Sequence, residues 1–192
     1  LGDVYKRQHP VFVNKVDGNK YSMPVKGDRK QNMKQDHYDI VVNYIIANQK
    51  KFYRLAYTYV RNENDALDIV QNAICSALEH YESIREISYI KTWFYRVLVH
   101  ESLNYVRKKN REIVSDEPLG GEAAYVEPGY GETEGFFEEL DRLPADTQNV
   151  IRLRFYEEMS LQEIAAVMEL SVNTVKSKLY RGLKSLKEEL VI

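Results

Sequence analysis

Asn173, Lys176, Ser177, Tyr180, Arg181 and Lys184 fall at offsets of 0, 3, 4, 7, 8 and 11 along the chain. That spacing sets them on one stripe of a helix. The stripe mixes cations that bind phosphate with groups that hydrogen-bond base edges. Ser171 stands just ahead, where a helix start offers backbone N–H groups to a phosphate. Residues 171–187 hold five bases and no acid. A second constellation lies at 88–111, where Tyr89, Trp93, Tyr95 and Tyr105 interleave with Lys91, Arg96, Arg107, Lys108 and Lys109. Rings stack on unpaired bases while cations track the backbone, so this pattern suits opened DNA. The plain alternative is a solvated helix face over aromatic core residues. Phe94 is read as core, and Trp93 stands evenly between the two readings.

Bond-making chemistry is not indicated. His9, His37, His80 and His100 are scattered, with no HExxH pattern and no glycine-rich phosphate loop. His100 and Glu101 are adjacent, so their side chains diverge on a helix. The single Cys75 excludes a disulfide framework and a cysteine zinc site, and is read as a buried thiol in a reducing cytosol. No catalytic residue, no metal ligand and no cofactor is expected. With 192 residues, 44% hydrophobic and 29% charged, the chain has room for one or two globular domains. No apolar run approaches the roughly 20 residues of a membrane span, and no signal-peptide core is read. A cytoplasmic protein without membrane insertion is expected.

Helices must position these groups. Val41, Ile45, Phe52, Leu55, Ala56 and Tyr59 recur at helical spacing and predict a helix over 38–60. Asn62 or Asn64 can cap a second helix, with Asp65 favourable at its N-terminal dipole. Leu67, Val70, Ile74, Ala77, Leu78 and Tyr81 form its predicted inner face. A polar turn at 82–87 leads to a third helix over Ser88 to Lys109, with Ile90, Phe94, Val97, Leu98, Leu103 and Val106 inward. Later, Phe136–Arg142 reads as a short helix and Pro144 as a helix start. Asn149 to Glu157 continues it, with Val150, Ile151 and Phe155 partly inward. Ser160 and Glu163 form a capping box before Ile164, Ala165 and Met168. Ser171 caps a last helix whose inner face is Val175, Leu179, Leu183 and Leu186. The segment 160–187 therefore has the form of a helix-turn-helix with a tight turn at Glu169-Leu170. Glu169 sits where such turns often use glycine, which predicts a positive φ at modest cost.

Charge and composition divide the chain. Residues 91–111 hold six bases against Glu101 alone, and 112–141 hold ten acids and no base. Five of the nine glycines lie in 112–135. The expectation is an all-α chain of two helical domains, 37–111 and 136–192, joined by a flexible acidic linker at 112–135. Residues 1–36 are read as a disordered N-terminal extension, with Met23 or Met33 as candidate starts.

Taken together, these residues resemble the extracytoplasmic-function group of bacterial sigma factors, the promoter-recognition subunits of RNA polymerase. Residues 62–71 (NENDALDIVQ), 92–97 (TWFYRV) and 104–109 (NYVRKK) are similar to the family's second conserved region. Leu143-Pro144, Val150 to Phe155, Glu163-Ile164-Ala165 and Ser171 to Leu179 are similar to its region four. The resemblance covers about 37–111 and 136–190. It implies that Asp65, Asp68 and Gln71 face the polymerase clamp. It further implies that Lys91, Trp93, Tyr95, Arg96, His100, Asn104, Arg107 and Lys108 melt and hold the −10 element. Ser171, Asn173, Thr174, Lys176, Ser177, Tyr180, Arg181 and Lys184 would read the −35 element. His100 departs from the asparagine common there. Core RNA polymerase, promoter DNA and an anti-sigma factor are the implied partners, with the acidic linker threading toward the polymerase cleft. A stand-alone helix-turn-helix regulator is the chief alternative; it explains 160–187 but leaves the second helix and the Trp93 segment unused. A helical adaptor whose basic helices bind acidic protein is another, and an enzyme is disfavoured.

Overall fold

The computed structural model describes the backbone at residues 26–115 and 131–190, and side chains at 36–112 and 135–190. The regular elements among the described residues are all helical. Helix α1, Lys26–Val60, buries Val41, Ile45, Phe52, Leu55 and Ala56. It begins well ahead of residue 38, so part of the expected extension is helix. Helix α2, Glu63–Glu79, starts where the Asn62 side chain accepts a hydrogen bond from the Asp65 N–H at 3.0 Å. Its buried face is Ala66, Ile69, Val70, Ala73 and Ala77. Three alanines let it lie close against α1. Two short 3-10 turns, Tyr81–Ser83 and Ile87–Tyr89, then lead into helix α3, Ile90–Ser115. Phe94 stacks on Phe52 with ring centroids 4.2 Å apart and closes the three-helix unit.

The second unit comprises helix α4, Gly131–Arg142; helix α5, Ala145–Tyr156; helix α6, Leu161–Met168; and helix α7, Val172–Glu189. Pro144 occupies the N-cap position of α5. Both arms of the Ser160–Glu163 capping box form, and Ser171 caps α7 through the Thr174 N–H. Leu140, Ile151, Leu153, Met159, Ile164, Val175, Leu179 and Leu186 make the core beneath them. Gly182 lies where α7 crosses α5. A Cβ there would stand 2.5 Å from Thr147 Cγ2 and 2.8 Å from Ile151 Cδ1.

Several side chains depart from the periodic expectation. Leu67 faces outward at 48% exposure, one position off the buried stripe of α2, and Phe155 at 55%, in the last turn of α5 beyond its buried residues. Cys75 is exposed rather than buried. Helix α3 runs on to Ser115, into the expected linker, and α4 begins at Gly131. The rest of that linker, and residues 1–25, lie outside the described residues.

Candidate nucleic-acid interface

The helix-turn-helix is built by local chemistry. Glu169 ends α6 in the left-handed region, with φ 55° and ψ 37°. The N–H of Leu170 then returns to the Ala165 carbonyl at 3.0 Å. The turn is tight, and the non-glycine residue carries the strain foreseen for it. Val175, Leu179, Gly182 and Leu186 face the core. This leaves Asn173, Lys176, Ser177, Tyr180, Arg181 and Lys184 exposed along the opposite side, with Ser171 exposed and Thr174 half-buried at its start. Tyr180 is 60% exposed, a large ring with no core to fill. A shallow concavity is lined by Asn173, Thr174, Ser177, Lys178 and Arg181. Lys178 was not foreseen for this surface; it pairs with Asp146 at 3.1 Å. Its offset of five from Asn173 puts it beside the stripe, not on it.

Helix α3 divides its residues differently from the expectation. Arg96, His100, Arg107 and Lys108 are exposed; Lys91, Trp93 and Asn104 are half-buried. Trp93 donates its indole N–H to Ser83 Oγ at 3.1 Å, so the preceding turn orients the ring. Asn104 lies one turn beyond His100, its amide 3.2 Å from Nδ1. Tyr95 is a correction to the aromatic set. It is 2% exposed, packs edge-on against Phe52, and its hydroxyl donates to Glu157. Burial and the adjacent carboxylate push its phenol far above the ordinary range. Enclosed in this way by Phe52 and Glu157, the ring is not placed to stack on a base in this arrangement. Its signal was the spacing Tyr95, Val99, Ser102, a second buried stripe beside Phe94 and Leu98.

The exposed face of α2 carries Leu67, Asp68 and Gln71 together. Asp65 is set apart from it. Its carboxylate is only 16% exposed, accepts from the Tyr105 hydroxyl at 2.8 Å, and is ion-paired with Lys109. Burial, then the hydrogen bond to Asp65, raise Tyr105 to about 12. Asp65 thus ties the start of α2 to the basic end of α3. Among the described residues no cluster of His, Cys, Asp or Glu could hold a metal ion, and no helix is long and apolar enough to cross a membrane.

Comparison with known proteins agrees with this architecture. The Sigma-70 region 2 family matches residues 45–112 and the Sigma-70 region 4 family matches 136–186. The chain is 39% identical over 158 residues to the RNA polymerase sigma factor SigV of Bacillus subtilis (strain 168), covering 82% of this chain and 95% of that protein. It is 32% identical over 149 residues to the ECF RNA polymerase sigma-E factor of Haemophilus influenzae, covering 70% and 78%. Two solved structures share the fold. The sigma factor RpoE in complex with the anti-sigma factor NepR, from Bartonella quintana, has a TM-score of 0.60 at 24% identity over 84% of this chain and 98% of that one. CnrH in complex with the cytosolic domain of CnrY has a TM-score of 0.58 at 20% identity, over 78% and 86%. The chain belongs to the extracytoplasmic-function sigma factors of the sigma-70 family. It is a promoter-specific transcription initiation factor, and a stand-alone helix-turn-helix regulator is not favoured, since region 2 is present as well. Sigma factors as a class are not enzymes; they bind core RNA polymerase and promoter DNA.

Proposed function

We propose a division of labour among the three surfaces. The stripe Ser171, Asn173, Thr174, Lys176, Ser177, Tyr180, Arg181 and Lys184 reads the −35 element in the major groove. Lys91, Trp93, Arg96, His100, Asn104, Arg107 and Lys108 open and hold the −10 element, with Tyr95 withdrawn to the core. Asp68 and Gln71, beside the exposed Leu67, dock on the polymerase clamp, and Asp65 braces α3. The factor acts in the cytoplasm, where promoter DNA is, and is held in check by an anti-sigma protein. That last element is supported by the RpoE and CnrH structures, each solved with another protein bound.

The observation that carries this reading is the acid-free outer stripe of α7, exposed along its length while the inner side is buried. Two weak DNA contacts on one chain gain specificity by acting together, and their phosphate share makes binding fall steeply with salt. The test is transcription from a promoter library by core polymerase loaded with this chain. Selected promoters should share two elements, and Lys176→Ala with Arg181→Ala should relax the upstream one alone. Equal loss at both elements would count against the assignment. Trp93→Ala should slow strand opening more than docking, read by permanganate reactivity at the −10 region.

A further inference from the structure

The cations of α7 are not equally available to a polyanion. Among the described residues no carboxylate is paired with Lys176 or Arg181, both exposed on the stripe. Lys184 Nζ lies 3.7 Å from Glu188, four residues on, and both side chains are largely solvated. Lys178 differs from all of these. Its Nζ stands 3.1 Å from Asp146 Oδ2, a carboxylate carried by another helix, α5. Its side chain is only 28% exposed, and it lines the concavity together with Asn173, Thr174, Ser177 and Arg181. The ammonium is thus set back from the stripe and held by an acid.

The pair does little for the fold. Helices α5 and α7 already meet where Gly182 lies against Thr147 and Ile151, with Val175 and Leu179 buried on the same side of α7. An ion pair with one partner 53% exposed adds little to stability. Asp146 also lies in the first turn of α5, where the helix dipole favours it whether or not Lys178 is near. What the pair does change is charge at the DNA-reading surface, because it neutralises one cation in the concavity.

We infer that Lys178 is a register-sensing phosphate contact, and that Asp146 is the positioning residue that makes it so. The inference rests on the assignment of the −35 element to the α7 stripe. A cation that is set back and already paired gains nothing from a phosphate passing over the rim of the concavity. A backbone seated in the concavity, with the stripe on base edges, brings a phosphate oxygen close enough to replace the carboxylate. One anion is then exchanged for another on the same ammonium. On arbitrary duplex the helix docks loosely, on phosphates alone, and the pair stays closed. Lys176 and Arg181 engage phosphates on either kind of DNA. Asp146 therefore withholds one phosphate contact from wrong sequences, an element set against the competitor rather than for the target.

The test measures binding of the full chain to two duplexes of equal length across a salt series. One carries the upstream element recovered from the promoter library; the other is its scrambled sequence. Each phosphate neutralised adds about 0.9 to the slope of log affinity against log salt. Lys178→Ala should flatten that slope by about 0.9 on the selected duplex and leave it unchanged on the scrambled one. Asp146→Asn should steepen the slope on scrambled DNA by about 0.9, with no change of slope on the selected duplex. Its affinity for scrambled DNA should rise about threefold. The double variant should bind scrambled DNA as the unaltered chain does. If Lys178→Ala flattens both slopes alike, or neither, the register reading is overturned. If Asp146→Asn moves neither slope, or weakens binding to both duplexes while lowering the melting temperature, the pair is a structural brace and the proposal fails. If Lys176→Ala with Arg181→Ala leaves the preference for the selected duplex intact, the −35 assignment itself is at fault.

Discussion

Asp65→Ala separates two roles that a pattern of acids on α2 confounds. The Asp65 carboxylate takes the Tyr105 hydroxyl at 2.8 Å and the Lys109 ammonium, and is 16% exposed. A hydrogen bond to a charged acceptor contributes about 1.5–3 kcal/mol. The Lys109 partner is 49% exposed, so screening holds its share below about 1 kcal/mol. The favourable place in the first turn of α2 adds a few tenths more. Asp65→Ala should therefore cost about 2–3 kcal/mol in urea unfolding. Asp68→Ala, on an exposed position, should stay within about 0.5 kcal/mol. Core-polymerase affinity should show the opposite ranking, lost in Asp68→Lys and retained in Asp65→Ala. The coupling between Asp65→Ala and Tyr105→Phe should reach about 1 kcal/mol in a double-mutant cycle. Full stability in Asp65→Ala together with lost polymerase binding would refute the bracing role and return Asp65 to the clamp surface.

Further outcomes follow from the same contacts. Gly182→Ala should destabilise region 4 by about 1–3 kcal/mol, read by thermal melting, because the new methyl meets Thr147 and Ile151 at sub-contact distance. That exceeds the roughly 1 kcal/mol of helix propensity alanine gains. Arg181→Ala should weaken binding to a −35 duplex by about 1–3 kcal/mol and relax one base position; equal loss on unrelated DNA would mark it as a phosphate contact. Glu157 faces Tyr95, Arg54, Lys51 and Lys91, and burial raises its carboxyl despite the three cations. The folded chain thus holds that proton more tightly than the unfolded chain. Its contribution to stability is greatest below the unfolded carboxylate pKa and is lost as pH rises through the folded value. Glu157→Gln should stabilise the protein at pH 7 and remove that part of the pH dependence, read by melts from pH 4 to 8.

Local signals were legible in the sequence. The Asn62 cap, the Ser160–Glu163 box, the Ser171 cap and the strained Glu169 turn each depend on a few neighbouring residues, and each is found. Faces set by packing between helices were harder to read. Leu67 and Phe155 have core chemistry but are exposed, Leu67 beside the α2 stripe and Phe155 at the end of α5, whereas Tyr95 looked like a surface ring and is enclosed. Tertiary packing decides such positions, because α3 is covered on a second side by the region-4 unit. Pairing across long separation is less visible still. Lys91 and Glu163 are 72 residues apart, and nothing in either segment names the other as its partner. The resemblance of the ordered motifs supplied the function; it did not disclose these long-range pairs.

Glu169 also bears on how such a chain can change over generations. A glycine at that turn would relieve the backbone and make the helix-turn-helix more stable. It would also delete the carboxylate that holds Arg96. A sturdier DNA-reading unit and an anchored Arg96 therefore place opposite demands on this one codon.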